Sequence, residues 1–227
     1  EEMDAHLAKV DQSSLGTSWG AGDYMYADLD GDGKISNGTN KLGDTGDYRI
    51  IGNSTPRLKY GLTLDAAWKG FDFSIFMQGI GKRDLWLDGC YFWGANGQGN
   101  EWQSTGFTEH WDFFRPEGDP LGANLDAYYP RVNFSGGRNT QVQTRYLQNG
   151  AYLRLKNVQL GYTLPRVWTE KAGISTVRVY LSGDNLATIT SLSKIFDPEA
   201  TGSLAGTGSG KLYPLQRVIS VGVNINF

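Results

Sequence analysis

The sequence predicts an all-β chain of about five antiparallel strands that belong to a transmembrane β-barrel. Three observations predict this. Apolar residues recur with a period of two in separate short stretches, the pattern of a strand with one apolar face. The connections between those stretches alternate between short and long, as they do in bacterial barrels, whose periplasmic turns are short and extracellular loops long. The composition is rich in turn formers and rings, with 31 Gly and 13% aromatics, while no run approaches the ~20 apolar residues of a spanning helix.

In chain order, Tyr60, Leu62, Leu64, Ala66 and Trp68 alternate with small or polar residues. Lys69–Gly70 makes a turn, and Phe71, Phe73, Ile75 and Met77 continue the alternation, so the pair reads as a hairpin. Residues 83–146 hold no sustained period. In "YLRLKNVQLGYTLP", Leu153 and Leu155 lie on one face, and then Val158, Leu160, Tyr162 and Leu164 carry the apolar set. That change of parity at Lys156–Asn157 predicts a β-bulge, and Pro165 ends the strand. Val177, Val179 and Leu181 mark a fourth strand, and Ile219 to Phe227 a fifth, with an irregular stretch at 188–216 between them. Helix is expected only as a turn or two near 2–9 and 166–172.

If both barrel termini are periplasmic, the last strand runs inward. The connections at 69–70 and 165–174 then fall on the periplasmic side, and 83–146 and 188–216 fall outside. Trp68, Phe71, Tyr162 and Phe227 gather where strands meet the inner interface, the place of an aromatic girdle. One face should therefore see outer-membrane lipid and the other a wet lumen, where Asn224 and Asn226 face water.

Charge and chemistry narrow the function. A net charge of −3 offers no basic surface, so no nucleic-acid partner is expected. The opening "EEMDAHLAKV" lacks the basic and apolar regions of a signal peptide, which leaves a cytosolic chain or one whose true N-terminus is missing. Glu101, Glu109 and Asp112 read as solvated loop carboxylates rather than a glycosidase pair. His6 and His110 are too far apart in sequence to suggest a metal site, and the single Cys90 has no nearby base. No catalytic set emerges, and the chain is not expected to be an enzyme.

One stretch carries ion chemistry. "DLDGDGKIS" sets Asp28, Asp30 and Asp32 at positions 1, 3 and 5 of an EF-hand-like loop, with Gly33 at position 6 for the sharp turn. Lys34 would offer its carbonyl and Ser36 a hydroxyl or a bridging water. Position 12 is Thr39, which cannot supply a bidentate carboxylate, so Asp44 or Asp47 would close the site. The expected ion is Ca²⁺, and its expected role is to stiffen a surface loop. The alternative is a solvated Asp/Gly turn. A second cluster, Trp86, Trp93, Trp102 and Trp111, offers rings for ligand or interface contact, or else packs the loop's own core.

The ordered set "YADLDGDGKIS", "IIGNSTPRLKYGLTL", "KGFDFSIFMQGIGKRDLW", "LQNGAYLRLKNVQLGYTLP", "VRVYLSGDNLAT" and "FDPE" resembles the C-terminal part of SusC/RagA-type TonB-dependent outer-membrane transporters of Bacteroidetes. The resemblance implies a barrel of the 22-strand class filled by an N-terminal plug. It also implies a SusD-like surface lipoprotein as a lid, cargo of glycans or peptides, and energy from TonB through the plug. Residues 1–56 would then be an extracellular loop segment holding the acidic loop, and 57–227 the transmembrane strands with their loops. Five strands cannot close a barrel, so the chain reads as a fragment whose last strand pairs with the N-terminal remainder of the same transporter. A terminal aromatic such as Phe227 resembles the signal read by the outer-membrane assembly machinery. The competing reading is a soluble, secreted calcium-binding adhesin or lectin-like module.

Overall fold

The computed structural model describes residues 1–39, 41–97, 106–134, 137–201 and 212–227. These fall into two compact units that interleave along the chain: one holds Glu1–Gly52 and Trp86–Leu147, the other Asn53–Leu85 and the described parts of 148–227.

The second unit is a five-stranded antiparallel sheet. β1 (Leu58–Trp68) and β2 (Phe71–Lys82) form the expected hairpin. Lys69 and Gly70 both sit at positive φ, 49° and 88°, the paired left-handed geometry of a two-residue turn that matches strand twist. The ribbon β3 (Asp84–Leu85) and β4 (Gln148–Asn149) pairs the two ends of the long excursion. β5 (Tyr152–Thr163), β6 (Thr176–Thr190) and β7 (Val218–Asn226) complete the order β1-β2-β5-β6-β7. The five strands run from 9 to 15 residues, enough for the ~9–11 that a tilted strand needs to cross a bilayer. Among the described residues no helix is long and apolar enough to cross a membrane.

The bulge lies where the change of parity places it. Against β2, Phe76 pairs with Asn157 and Met77 with Leu155, so Lys156 is the extra residue of β5; against β6, Leu155 pairs with Ala187 and Asn157 with Asp184, so Lys156 opposes Asn185 and Leu186. Asn185 takes the left-handed conformation, φ 52°, which absorbs the extra length and lets the ladder resume. For that reason β6 continues to Thr190, paired with Tyr152, and the irregular stretch begins at 191 rather than 188. The short helices α1 (Glu2–Leu7) and α3 (Arg166–Thr169) fall at the two sites expected for helical turns.

Register aligns the faces across all five strands. Ala66, Phe73, Leu160, Leu181 and Val221 form one row, and Trp68, Phe71, Tyr162, Val179 and Val223 the next. Ser74, Gln159, Ser182 and Ser220 form a row on the opposite face. The apolar rows are open: Leu181 is 50% exposed and Val221 75%. The polar face is dressed by side chains lying flat. Arg178 reaches across Gly161 of β5 to pair with Asp72 of β2, its Nε donating at 2.9 Å. The Tyr180 ring covers Gly222, where a Cβ would meet ring atoms at 2.3 Å.

The first unit has little regular structure: α1, α2 (Cys90–Trp93) and short 3-10 turns at Ser13–Leu15 and Thr108–Trp111. Rings hold it together. Tyr146 is fully buried among Phe92, Trp93, Tyr128 and Tyr129. The Asp23 carboxylate, also buried, receives Arg131 Nε at 2.8 Å and Asn139 Nδ2 at 2.7 Å, joining positions more than 100 residues apart.

Candidate functional site

The acidic loop belongs to the first unit. Each carboxylate in it organises the backbone that follows. Asp28 accepts from the amides of Gly31 (2.6 Å) and Gly33 (2.8 Å), and Asp30 from that of Asp32 (3.1 Å). The positive φ of Gly33, 81°, makes the turn that brings these amides round. Asp47 reaches in from later in the chain: its two oxygens accept from Leu29 N at 2.6 Å and Ser36 N at 2.7 Å. Its own amide donates to the Ser36 carbonyl at 2.9 Å.

Carboxylate oxygens of Asp28, Asp30 and Asp47 thereby lie within 4.8 Å of one another. Of the two candidates for the closing ligand, Asp47 joins this trio. Asp44 turns away and takes the Thr39 hydroxyl at 2.6 Å and the Thr39 amide at 3.1 Å. Asp32 accepts from Lys34 N (2.8 Å), and Ser36 Oγ from Gly38 N (3.1 Å), so neither side chain is part of the trio. Lys34 bridges to Asp11 through its backbone. The Gly33 amide, with those of Gly31 and Asp32, holds the Asp28 carboxyl below its ordinary pKa. Three anionic oxygens at this spacing suit a hard cation with oxygen ligands.

The tryptophans divide. Trp93 is buried and packs on Tyr146, with ring centroids 4.6 Å apart, and Trp86 packs against Trp93 at 5.9 Å. Trp111 is 58% exposed beside Phe113 and under the Arg115 guanidinium. Trp102 and Glu101 lie outside the described residues. Trp93, Phe107, His110, Trp111, Phe113 and Tyr129 line a cavity of about 300 Å³. His110 is buried there: its Nδ1 accepts from Phe107 N at 2.9 Å and its Nε2 donates to the Phe92 carbonyl at 3.0 Å. Burial depresses its pKa, so it is a neutral structural histidine. The tyrosines of this core and His110 escape a sequence reading because they have no period, and their partners lie tens of residues away.

Comparison with known proteins supplies what five strands alone do not. No family model matches the chain. TonB-dependent receptor P3 of Formosa agariphila is 33% identical over 216 residues, covering 91% of this chain and 19% of the receptor. TonB-dependent receptor P26 of the same organism is 28% identical over 96% of this chain and 21% of its own length. The RagAB peptide importer in its closed-closed state superposes with a TM-score of 0.62 at 28% identity, over 88% of this chain and 20% of that one. The RagAB peptide transporter gives 0.60 at 27%, over 79% and 18%. The chain matches a section of the SusC/RagA-type TonB-dependent receptors. It spans about a fifth of the length of the relatives it matches. The five-stranded sheet is a section of the receptor's antiparallel barrel. The row Trp68–Phe71–Tyr162 lies at the end of the sheet closed by the short connections, with the Phe71 and Tyr162 rings 4.5 Å apart.

Proposed function

We propose that this chain supplies part of the wall and of the extracellular loops of an outer-membrane transporter that imports glycans or peptides. A TonB-dependent plug would drive transport, and a SusD-like lipoprotein would cap the mouth. The observation that carries the reading is the open apolar face, continuous across five strands and opposed by a polar one. A soluble module would have to cover such a face, because contiguous exposed apolar surface of this extent marks a membrane or protein interface. The kinship with TonB-dependent receptors supports the energy source, and the RagAB neighbours, being peptide transporters, favour peptides as cargo.

Sidedness tests it. In a Cys90→Ser background of the full-length receptor, a cysteine at Leu42, fully exposed in the first unit, should react with a membrane-impermeant maleimide on intact cells. A cysteine at Val167, exposed in the β5–β6 connection, should react only after the outer membrane is opened. The reverse pattern contradicts the topology.

We also propose that Asp28, Asp30 and Asp47 bind Ca²⁺ and stiffen the loop. Asp32, Lys34 and Ser36 would contribute through water or backbone oxygen. What supports it is the convergence of three carboxylates drawn from residues 19 positions apart. Limited proteolysis of the full-length receptor should show faster cleavage within 28–47 once a chelator is added. Identical rates with and without chelator exclude the site.

A further inference from the structure

The segment that follows β6 does not project away from the sheet. Residues 192–201 fold back onto the polar face. Arg154, on that face of β5, is nearly fully buried. Its Nε donates to Thr188 Oγ1 of β6 at 2.8 Å and its Nη2 to Asp197 Oδ1 at 2.8 Å, while Nη1 lies 3.5 Å from Glu199 Oε1. Lys156, the bulge residue, reaches Glu199 Oε2 at 2.9 Å. Asp197 also receives the amides of Glu199 (2.9 Å) and Leu215 (3.1 Å), and Arg83 reaches Thr201 Oγ1 at 3.4 Å. Leu192 and Phe196 turn inward, and Ile80 and Tyr152, opposite each other on the polar face, are covered. An open cleft of about 380 Å³ remains along this segment, bounded by Arg154, Thr188, Thr190, Lys194 and Asp197.

We infer that residues 192–201 are an inward-folded strap that narrows the channel, so that they set the size of what passes. The inference rests on the reading of the polar face as the barrel lumen. Two cations from β5 meet two anions from the strap, so opposite charges hold the strap to the wall. Four buried residues anchor it, Leu192, Phe196, Pro198 and Thr201, which makes it a fixed part of the wall rather than a swinging loop. A layer of chain laid over a sheet stands about 10 Å off it. That thickness subtracts directly from the free cross-section, and pore width with its lining groups governs selectivity. Lys156 stands two residues after Arg154 on β5, so strand alternation carries both cations to the same face, where Lys156 meets Glu199.

The test needs no knowledge of the cargo. In full-length Cys90→Ser receptor, a cysteine at Ser182 lies on the polar face six residues before Thr188 in β6, beyond the strap as seen from outside. On intact cells a small impermeant thiol reagent should label it, and a polymer-tagged maleimide should label it several-fold more slowly. The Asp197→Asn/Glu199→Gln variant, which frees the strap, should speed the polymer reaction several-fold and leave the small reagent unchanged. Glu199→Gln alone should give an intermediate rate, and heat-modifiable migration shows that each barrel has folded. A polymer rate unaffected by both variants overturns the strap. A cysteine at Lys194 is the second measurement: it should react from outside with the small reagent, and protection there while Leu42→Cys reacts also overturns the strap. If neither position 42 nor position 194 reacts, the outer-membrane reading itself fails.

Discussion

At the scale of single residues, the polar face shows why small and large side chains alternate between neighbouring strands. The ring of Tyr180 occupies the space above Gly222, so a branched side chain at 222 must expel it. Gly222→Val should destabilise the barrel by about 1–3 kcal/mol, read as a lower temperature for loss of the heat-modifiable folded form. Adding Tyr180→Ala should restore part of the loss, because the two side chains compete for one volume. The acidic loop separates two carboxylates that sequence left equivalent as closing ligands. Asp47→Asn should raise protease sensitivity at 28–47 to the level seen with chelator, whereas Asp44→Asn should leave the calcium response in place. A site of this kind at a cell surface binds at ~10⁻⁴–10⁻³ M. His110 gives a pH dependence. Its folded pKa lies below the ordinary histidine value, so the unfolded loop binds the proton more readily and stability falls as pH drops through that value. The slope is at most about 1.4 kcal/mol per pH unit for one proton. Hydrogen exchange at the Phe107 amide should therefore quicken between pH 7 and pH 5, and a His110→Gln variant should lose most of that dependence.

At the scale of elements, the strands were legible because a two-residue period survives any solvent on the apolar side, and the bulge because it shifts that period by one at Lys156. The upper end of β6 was not legible. There the apolar set thins to Ala187 and Ile189 after Asn185, and only pairing with Tyr152 to Leu155 extends the strand to Thr190. The aromatic core of the first unit was hidden for a different reason: Tyr24, Phe92 and Tyr146 come from three distant stretches and carry no spacing that links them. In the acidic loop the D-x-D-x-D-G spacing named the first two carboxylates of the trio and the turn, while the third depended on how the chain returned from "NGTNKLG". The final strand carries its own prediction. Phe227 extends the apolar row of Ile225 and is almost fully exposed, so it stabilises little within this chain. Deleting it from the full-length receptor should lower the amount of folded, heat-modifiable barrel in the outer membrane, with the surviving molecules transporting normally. Unchanged barrel levels would remove Phe227 from assembly.

At the scale of the whole molecule, one physical fact and one kinship meet. Five strands keep their apolar rows in register and present them uncovered, and relatives of the same sequence pattern are TonB-dependent receptors. An open sheet in lipid would leave unpaired edge groups at β1 and β7, each costing several kcal/mol, so in the membrane those edges require further strands of the same barrel. The central claim is the division of solvents: lipid on one face, water on the other. Site-directed spin labelling along β7 of the full-length receptor in bilayers measures it residue by residue, with oxygen as the lipid-soluble relaxer and a nickel chelate as the aqueous one. Labels at Ile219, Val221, Val223 and Ile225 should be relaxed by oxygen, and labels at Ser220, Asn224 and Asn226 should show the lower oxygen access of a lumen-facing position. Equal accessibility at all seven positions, or the opposite phase, would contradict the account.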